Sequence, residues 1–316
     1  MKNRKRSTLV GAALILFGVL GGVALARWQE NNLDRLLLKL PWGGLSRPAA
    51  PAGAEGPEKL TFSAGDVSLA PMQYGSDCAY RPDRAALLQQ PLSWDLTGEE
   101  PTVLILHTHA SECYTRQPGQ NYAESADYRT QNTAYNMVAV GDKLASLLAQ
   151  AGISVLHDRQ IHDYPTYSSA YTNSRESVQR YLRQYPSICL VLDLHRDAML
   201  NSDGSQYAAT VVADGVSTAR MMLVVGTDAA GMQHPAWQEN LALALKMQVL
   251  LEKRAPGITR PTMLRAQRFN QDLLPGMLIV EMGAAGNTLQ QALAAAEYLA
   301  RAVIALSGGT TADSTS

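Results

Sequence analysis

His109 and Glu112 stand three residues apart in the run HTHASECY, and two such donors on a tight turn can reach one ion. A third donor, His195, closes the apolar stretch ICLVLDLH, and Glu281 follows the apolar residues of MLIVE farther along. Two imidazoles and a carboxylate are a usual protein share of an open zinc site, which keeps its fourth position for water. Zinc there would lower the pKa of that water to about 7. Glu281 would then carry the proton from water to a leaving amine. His107 is an alternative ligand to His109, because strand alternation would give the two the same facing. Asp193 and Asp197 are candidates to orient an imidazole, and Asp197 could equally cap a turn.

Each piece alone is weak. A strand-end histidine is more often a hydrogen-bonded structural residue than a ligand, Glu112 could cap its own turn, and Glu281 could pair with Arg196 or Arg265. Together, on three separate apolar runs, ionisable groups at the edge of a core have little structural purpose. Arg265, Arg268, Asn270 and Gln271, clustered in LRAQRFNQDLLPG, offer donors that could hold substrate carboxylates or amides. Arg196 and Asp197 are further candidates to contact substrate or support the ligands. The pairs His157-Asp158 and His162-Asp163 look like a second metal cluster only superficially. With Tyr164, Pro165, Tyr167 and Tyr171 nearby, they read as a loop lining a groove.

Those donors need strands that end at one edge. From Pro101 onward apolar runs alternate with helical periodicities, which predicts an α/β domain with a largely parallel sheet flanked by helices. Parallel strands bring distant tips together, and ligands gather at their carboxyl ends. Strands are expected at Val103–Leu106, at ISVLHD, at SICLVLDLH and at MLIVEMG. Helices are expected over Ala134–Ala151, from Asn173 or Ser174, over Pro235–Glu252 and over Thr288–Leu306. Ala208–Asp214 and Met221–Val225 read as a hairpin. Residues 66–101 carry scattered prolines and read as an irregular lead-in, and 307–316 as a disordered tail.

The amino end has a different character. Lys2, Arg4, Lys5 and Arg6 precede Thr8–Ala26, which carries no charge and approaches the ~20 residues that span a bilayer. Basic residues ahead of it predict a cytoplasmic amino end and a body outside. A cleaved signal peptide is the competing reading, since Ala24-Leu25-Ala26 resembles a cleavage site. An amphipathic stretch and the Pro/Ala/Gly-rich LSRPAAPAGAEGPEK then read as a tether. The expected organisation is a basic tail at 1–7, a membrane segment at 8–26, a linker and lead-in at 27–100 and a catalytic domain at 101–306. The net charge of −1, with no basic stripe, argues against nucleic acid as a partner. Cys78, Cys113 and Cys189 form neither a disulfide framework nor a zinc pattern.

The order H-x-x-E, distant His, later Glu is similar to that of carboxypeptidase-like zinc peptidases and amidases. More specifically, HTHASECY, AYNMVAVGDKLASLLAQAGISVLHD, HDYPTYSSAYTNSR, VLDLHRDA, HPAWQENL, RPTMLRAQRFNQDLLPG and LIVEMGAAGNTLQQA resemble, in order, the stage II sporulation protein P family of endospore formers. The resemblance implies an N-acetylmuramoyl-L-alanine amidase with endopeptidase activity, acting on peptidoglycan during forespore engulfment with one zinc ion. It also implies an amidase-like fold, a single-pass membrane anchor with the catalytic domain in the intermembrane space of the sporangium, and stage II sporulation proteins D and M as partners. In many related amidases the ligand glutamate opens the first helix. Here RTQNTAYN offers Asn132 and no glutamate, so the role is carried to Glu112. Two other readings compete. One is a wall-binding scaffold of the engulfment machinery without catalysis. The other is a Cys113 nucleophile with His107 as its base, which would leave Glu112, His195 and Glu281 without roles.

Overall fold

The computed structural model describes residues 59–311 other than 124 and 126, and the charge-free stretch expected to meet a membrane lies outside them. Among the described residues no helix is long and apolar enough to cross a bilayer. In chain order the strands are β1 (Leu60–Thr61), β2 (Met72–Tyr74), β3 (Val103–Leu106), β4 (Val155–His157), β5 (Leu190–Asp197) and β6 (Thr210–Ala213). They continue with β7 (Val216–Ala219), β8 (Met221–Gly226), β9 (Thr262–Arg265), β10 (Met277–Ala284) and β11 (Thr310–Thr311). The α-helices are α1 (Arg84–Gln89), α2 (Met137–Gln150), α3 (Ala170–Gln184), α4 (Trp237–Arg254) and α5 (Leu289–Ala305).

Seven strands form the central sheet in the order β2-β9-β8-β10-β5-β3-β4. β10, β5, β3 and β4 run parallel to their neighbours, as do β8, β9 and β2. The two blocks meet antiparallel at β10 and β8. The expected α/β architecture with a mostly parallel sheet is therefore present. In the first block the apolar runs of β10, β5 and β3 are buried on both faces, as interior parallel strands require, and β4 at the edge is half-buried.

The two faces are covered unequally. Ile105, Leu192, Leu194, Val280 and Leu223 pack into the main core beneath α2, α4 and α5. On the opposite face Leu104, Leu106, Val191 and Met277 pack against Val178 of α3. Beyond α3 the same face continues as a small cluster of Met222, Val224 and Ile279 with Met263 and Phe269. That last cluster floors a cavity of about 250 Å³.

Helix ends follow their side chains. Asn136 caps α2 through Val138 N, and Thr288 with Gln291 forms a capping box for α5. The helix expected from Asn173 or Ser174 starts earlier, at Ala170, after a 3₁₀ turn over Tyr167–Ser169.

Three expectations need correction. Thr210–Ala213 pairs with Val216–Ala219, whereas Met221–Gly226 is a separate strand of the main sheet. Asp214-Gly215 makes the tight turn, both residues at positive φ. The lead-in is part of the fold: Met72–Tyr74 is the edge strand beside β9, and Phe62, Leu87, Leu88 and Leu96 are core residues. At the other end Thr310–Thr311 pairs with Leu60–Thr61, and Leu92 N donates to Thr310 Oγ1, so 307–311 is not a loose tail.

Candidate active site

β3 ends at Leu106, and the chain then turns. His107 continues the facing of Ile105, toward α2, and its Nδ1 lies 3.2 Å from Leu194 O. Its Nε2 lies 2.8 Å from His157 Nε2, and His157 Nδ1 lies 3.0 Å from Asp142 Oδ1. Burial, reinforced by His157, pushes the His107 pKa down to about 3. His107 is therefore a neutral buried group on the helix side, not an alternative to His109. The equal facing expected of the two fails because strand geometry stops before the second.

The turn brings His109 to the other side, where its ring lies 5.1 Å from that of His195. His109 Nδ1 is 3.4 Å from Glu112 Oε1, and His195 Nδ1 is 3.6 Å from Glu112 Oε2. One donor atom from each of the three lies within 4.8 Å of the others. Among the described residues this is the one such cluster of three or more, so His157, Asp158, His162 and Asp163 form none. His162 is instead 3.2 Å from Asp158.

Asp193, two residues before His195 on the same face of β5, places Oδ1 3.0 Å from His195 Nε2. Thr108 fixes that carboxylate through its N and Oγ1, at 2.7 and 2.6 Å. Burial disfavours a charged His195, but Asp193 and Glu112 outweigh it and lift its pKa. Burial likewise opposes charge on Glu112, yet His109, His195 and Arg196 hold its pKa well below the usual carboxylate range.

Glu281 sits on β10 directly beside His195 in register. Its Oε2 is shut off from solvent and has no hydrogen-bond partner, and it pairs with neither Arg196 nor Arg265. Desolvation, aided by Asp197 and Glu112 against the opposing pull of His195, raises its pKa to about 8. Immediately after it the strand bulges. Gly283, at φ +88, allows this bulge, because a Cβ there would press on Ala219 and Asn287. Residues 282–283 thus leave the ladder to β5, between the paired Glu281 and Ala284.

The remaining candidates divide. Asp197 ends β5 as a lining residue of the cavity and is held by Arg260 Nη1 at 2.8 Å, so it caps no helix. Arg265 also lines the cavity. Arg196 does not: it lies behind Glu112, with N donating to Glu112 Oε2 at 3.1 Å and its guanidinium to the carbonyls of Cys113, Asp127 and Tyr128. Arg268 is 3.2 Å from Asp272, and Asn270 donates to Tyr171 O at 2.8 Å. Both belong to the fastening of this loop to α3, completed by Arg175 on Asp272, and neither lines the cavity. Burial pushes the Cys113 thiol up to about 11, which removes it as a nucleophile at neutral pH.

Sequence reasoning missed Arg129 and Arg260. Arg129 reaches Asp163 at 2.8 Å and Glu112 at 3.5 Å and lies over Tyr167, whose ring stacks on His109 at 4.7 Å. Arg129 sits in an irregular loop, where no periodicity marks it. Arg260 had a weak signal, as a cation before proline at the head of a strand.

The family model described as stage II sporulation protein P (SpoIIP) matches residues 58–304. The chain belongs to this family. It is 27% identical over 215 residues to the stage II sporulation protein P of Bacillus subtilis (strain 168), covering 65% of this chain and 50% of that protein. The chain thus spans about half the length of this relative. Among solved structures, it overlaps the N-acetylmuramoyl-L-alanine amidase AmiC2 of Nostoc punctiforme at 12% identity and a TM-score of 0.40, covering 66% of this chain and 97% of that one. It overlaps the amidase Ami1 of Mycobacterium smegmatis at 11% identity and a TM-score of 0.42, covering 68% and 99%.

Proposed function

We propose that this member of the stage II sporulation protein P family is a zinc-dependent hydrolase that cuts amide bonds in peptidoglycan, as an amidase with endopeptidase activity. The observation that carries the reading is the convergence of His109, Glu112 and His195 within 4.8 Å, beside the unpartnered carboxyl of Glu281. Two imidazoles and one carboxylate suit zinc and leave room for a further ligand. His109, Glu112 and His195 would hold one ion, with Asp193 behind His195. Zinc bound there supplies a Lewis acid and makes water nucleophilic at neutral pH.

The chain's own groups do the rest. Glu281 Oε2, free of other partners, accepts the proton of the attacking water and delivers it to the nitrogen of the departing amine. A pKa raised to about 8 suits the delivering half of that cycle. The apolar floor of Met222, Val224 and Ile279 keeps bulk water from the carboxyl and seats the substrate chain. Family membership supports peptidoglycan as the polymer, engulfment as the occasion and stage II sporulation proteins D and M as partners. The basic residues ahead of Thr8–Ala26 support a single membrane anchor with the hydrolase outside. Such a tether raises the effective concentration of enzyme at an immobile wall.

The test is digestion of purified sacculi by the detergent-solubilised chain. Wild type is expected to release soluble fragments with one zinc per chain and to stop when a chelator is added. His195→Ala should lose both metal and activity. Glu281→Gln should retain zinc and sacculus binding while activity falls about 10²- to 10⁴-fold. Digestion by Glu281→Gln at the wild-type rate would sink the mechanism, and wild-type binding without digestion would return the scaffold reading.

A further inference from the structure

The cavity does not stop at Glu281. It runs from His195, Asp197 and Glu281 across β8 to Arg265 on β9. Between the two ends lie the apolar side chains of Ile279, Met222, Val224 and Met263. Arg265 Nε is shut off from solvent without a hydrogen-bond partner. Asp77, whose pKa is lowered by the Gln267 hydrogen bond and also by the charge of Arg265, has Oδ2 occupied by Gln267 at 2.7 Å. A guanidinium with a desolvated, unused donor at the end of an apolar trough is a poor resting arrangement, because an unmade buried hydrogen bond is costly. A ligand carboxylate would complete it.

We propose that Arg265 anchors a free carboxylate of the substrate peptide, roughly two to three residues from the amide that is cut. The proposal rests on the hydrolase reading and adds its specificity. The spacing comes from register. Glu281 pairs with Met222, and Arg265 pairs with Gly226, four residues farther along β8. Two inter-strand steps of about 4.8 Å and four residues of about 3.3 Å separate the Cα atoms by roughly 16 Å. The two side chains take up part of that length. The remaining gap is roughly that of two or three extended residues. The trough's apolar floor accepts aliphatic parts of the chain, and its single cation selects one acidic group.

The experiment is calorimetric binding of a disaccharide–peptide fragment of peptidoglycan to the full chain carrying Glu281→Gln, so that the fragment is not consumed. The fragment is used with its carboxylates free and with the same groups converted to amides. The free acid is expected to bind about ten- to a hundredfold more tightly. Adding Arg265→Gln should erase the preference, and Arg265→Lys should keep part of it, which separates loss of charge from damage to β9. Equal binding of the two fragments, or a preference that survives Arg265→Gln, overturns the subsite. Failure of the hydrolase reading shows elsewhere, as undiminished sacculus digestion by Glu281→Gln.

Discussion

Glu281 is placed where a carboxylate is costly, and that cost has a direction in pH. Its pKa of about 8 in the folded chain lies above the ordinary value of 4.5. Between those two values the native state binds the more protons, so its stability falls as pH rises through that window and levels off above it. At about 1.4 kcal/mol per pKa unit, the loss amounts to several kcal/mol at its fullest. A glutamine at 281 carries no charge and escapes the loss. In chelator-treated protein, Glu281→Gln should melt close to wild type at pH 4.5 and several degrees above it at pH 8.5. A difference in melting temperature that does not change between those pH values would contradict the raised pKa.

Helix α2 carries a glycine in its interior, Gly141, where alanine would ordinarily be better by about 0.5–1 kcal/mol. The exception has a visible cause. A Cβ at 141 would collide with the imidazoles of His157 and His107. That pair packs behind the strand tips bearing His109 and His195, with His107 Nδ1 against Leu194 O. Gly141→Ala should therefore destabilise the chain by about 1–3 kcal/mol in denaturant unfolding, as overpacking does. In a His157→Ala background the same change should cost less, the contact with His107 remaining; equal effects in both would show that His157 is not the reason.

This arrangement also marks the limit of what the sequence discloses. The buried strands, α4, α5 and the grouping of His109, Glu112, His195 and Glu281 are legible, because long apolar runs and helical periodicity fix which tips share an edge. The facing of His107 was not, since alternation has no meaning once a strand has ended. Nor was the pairing of Met221–Gly226, because a run buried on both faces carries no mark of its neighbour. The roles of Arg268 and Asn270 depend on α3 passing nearby, a tertiary fact that local composition does not encode.

At the scale of the molecule, the short N-terminal elements decide where the folded unit begins. Met72–Tyr74 is too short to show a period, yet it closes the sheet beside β9. α1 covers α4, where Lys246, buried and with its pKa lowered to about 8 by desolvation, donates to Leu87 O at 3.0 Å. Trp94 Nε1 donates to Leu306 O at 2.8 Å, tying the same segment to the end of α5. A chain starting at Pro101 would lose all of these. It would leave Lys246 without its acceptor, the apolar side of α4 uncovered and β9 as an open edge, a template for aggregation. A chain starting at Lys59 retains every one of them. The expected outcome is a soluble protein with one sharp thermal transition from the Lys59 start, and an aggregating or broadly melting one from the Pro101 start. Equal, cooperative melting of the two would place the boundary of the folding unit after residue 100 and reduce β2 and α1 to accessories. If the two differ as expected, the segment before Pro101 helps to hold the cavity itself, since Met263 and Arg265 stand on the strand that β2 protects.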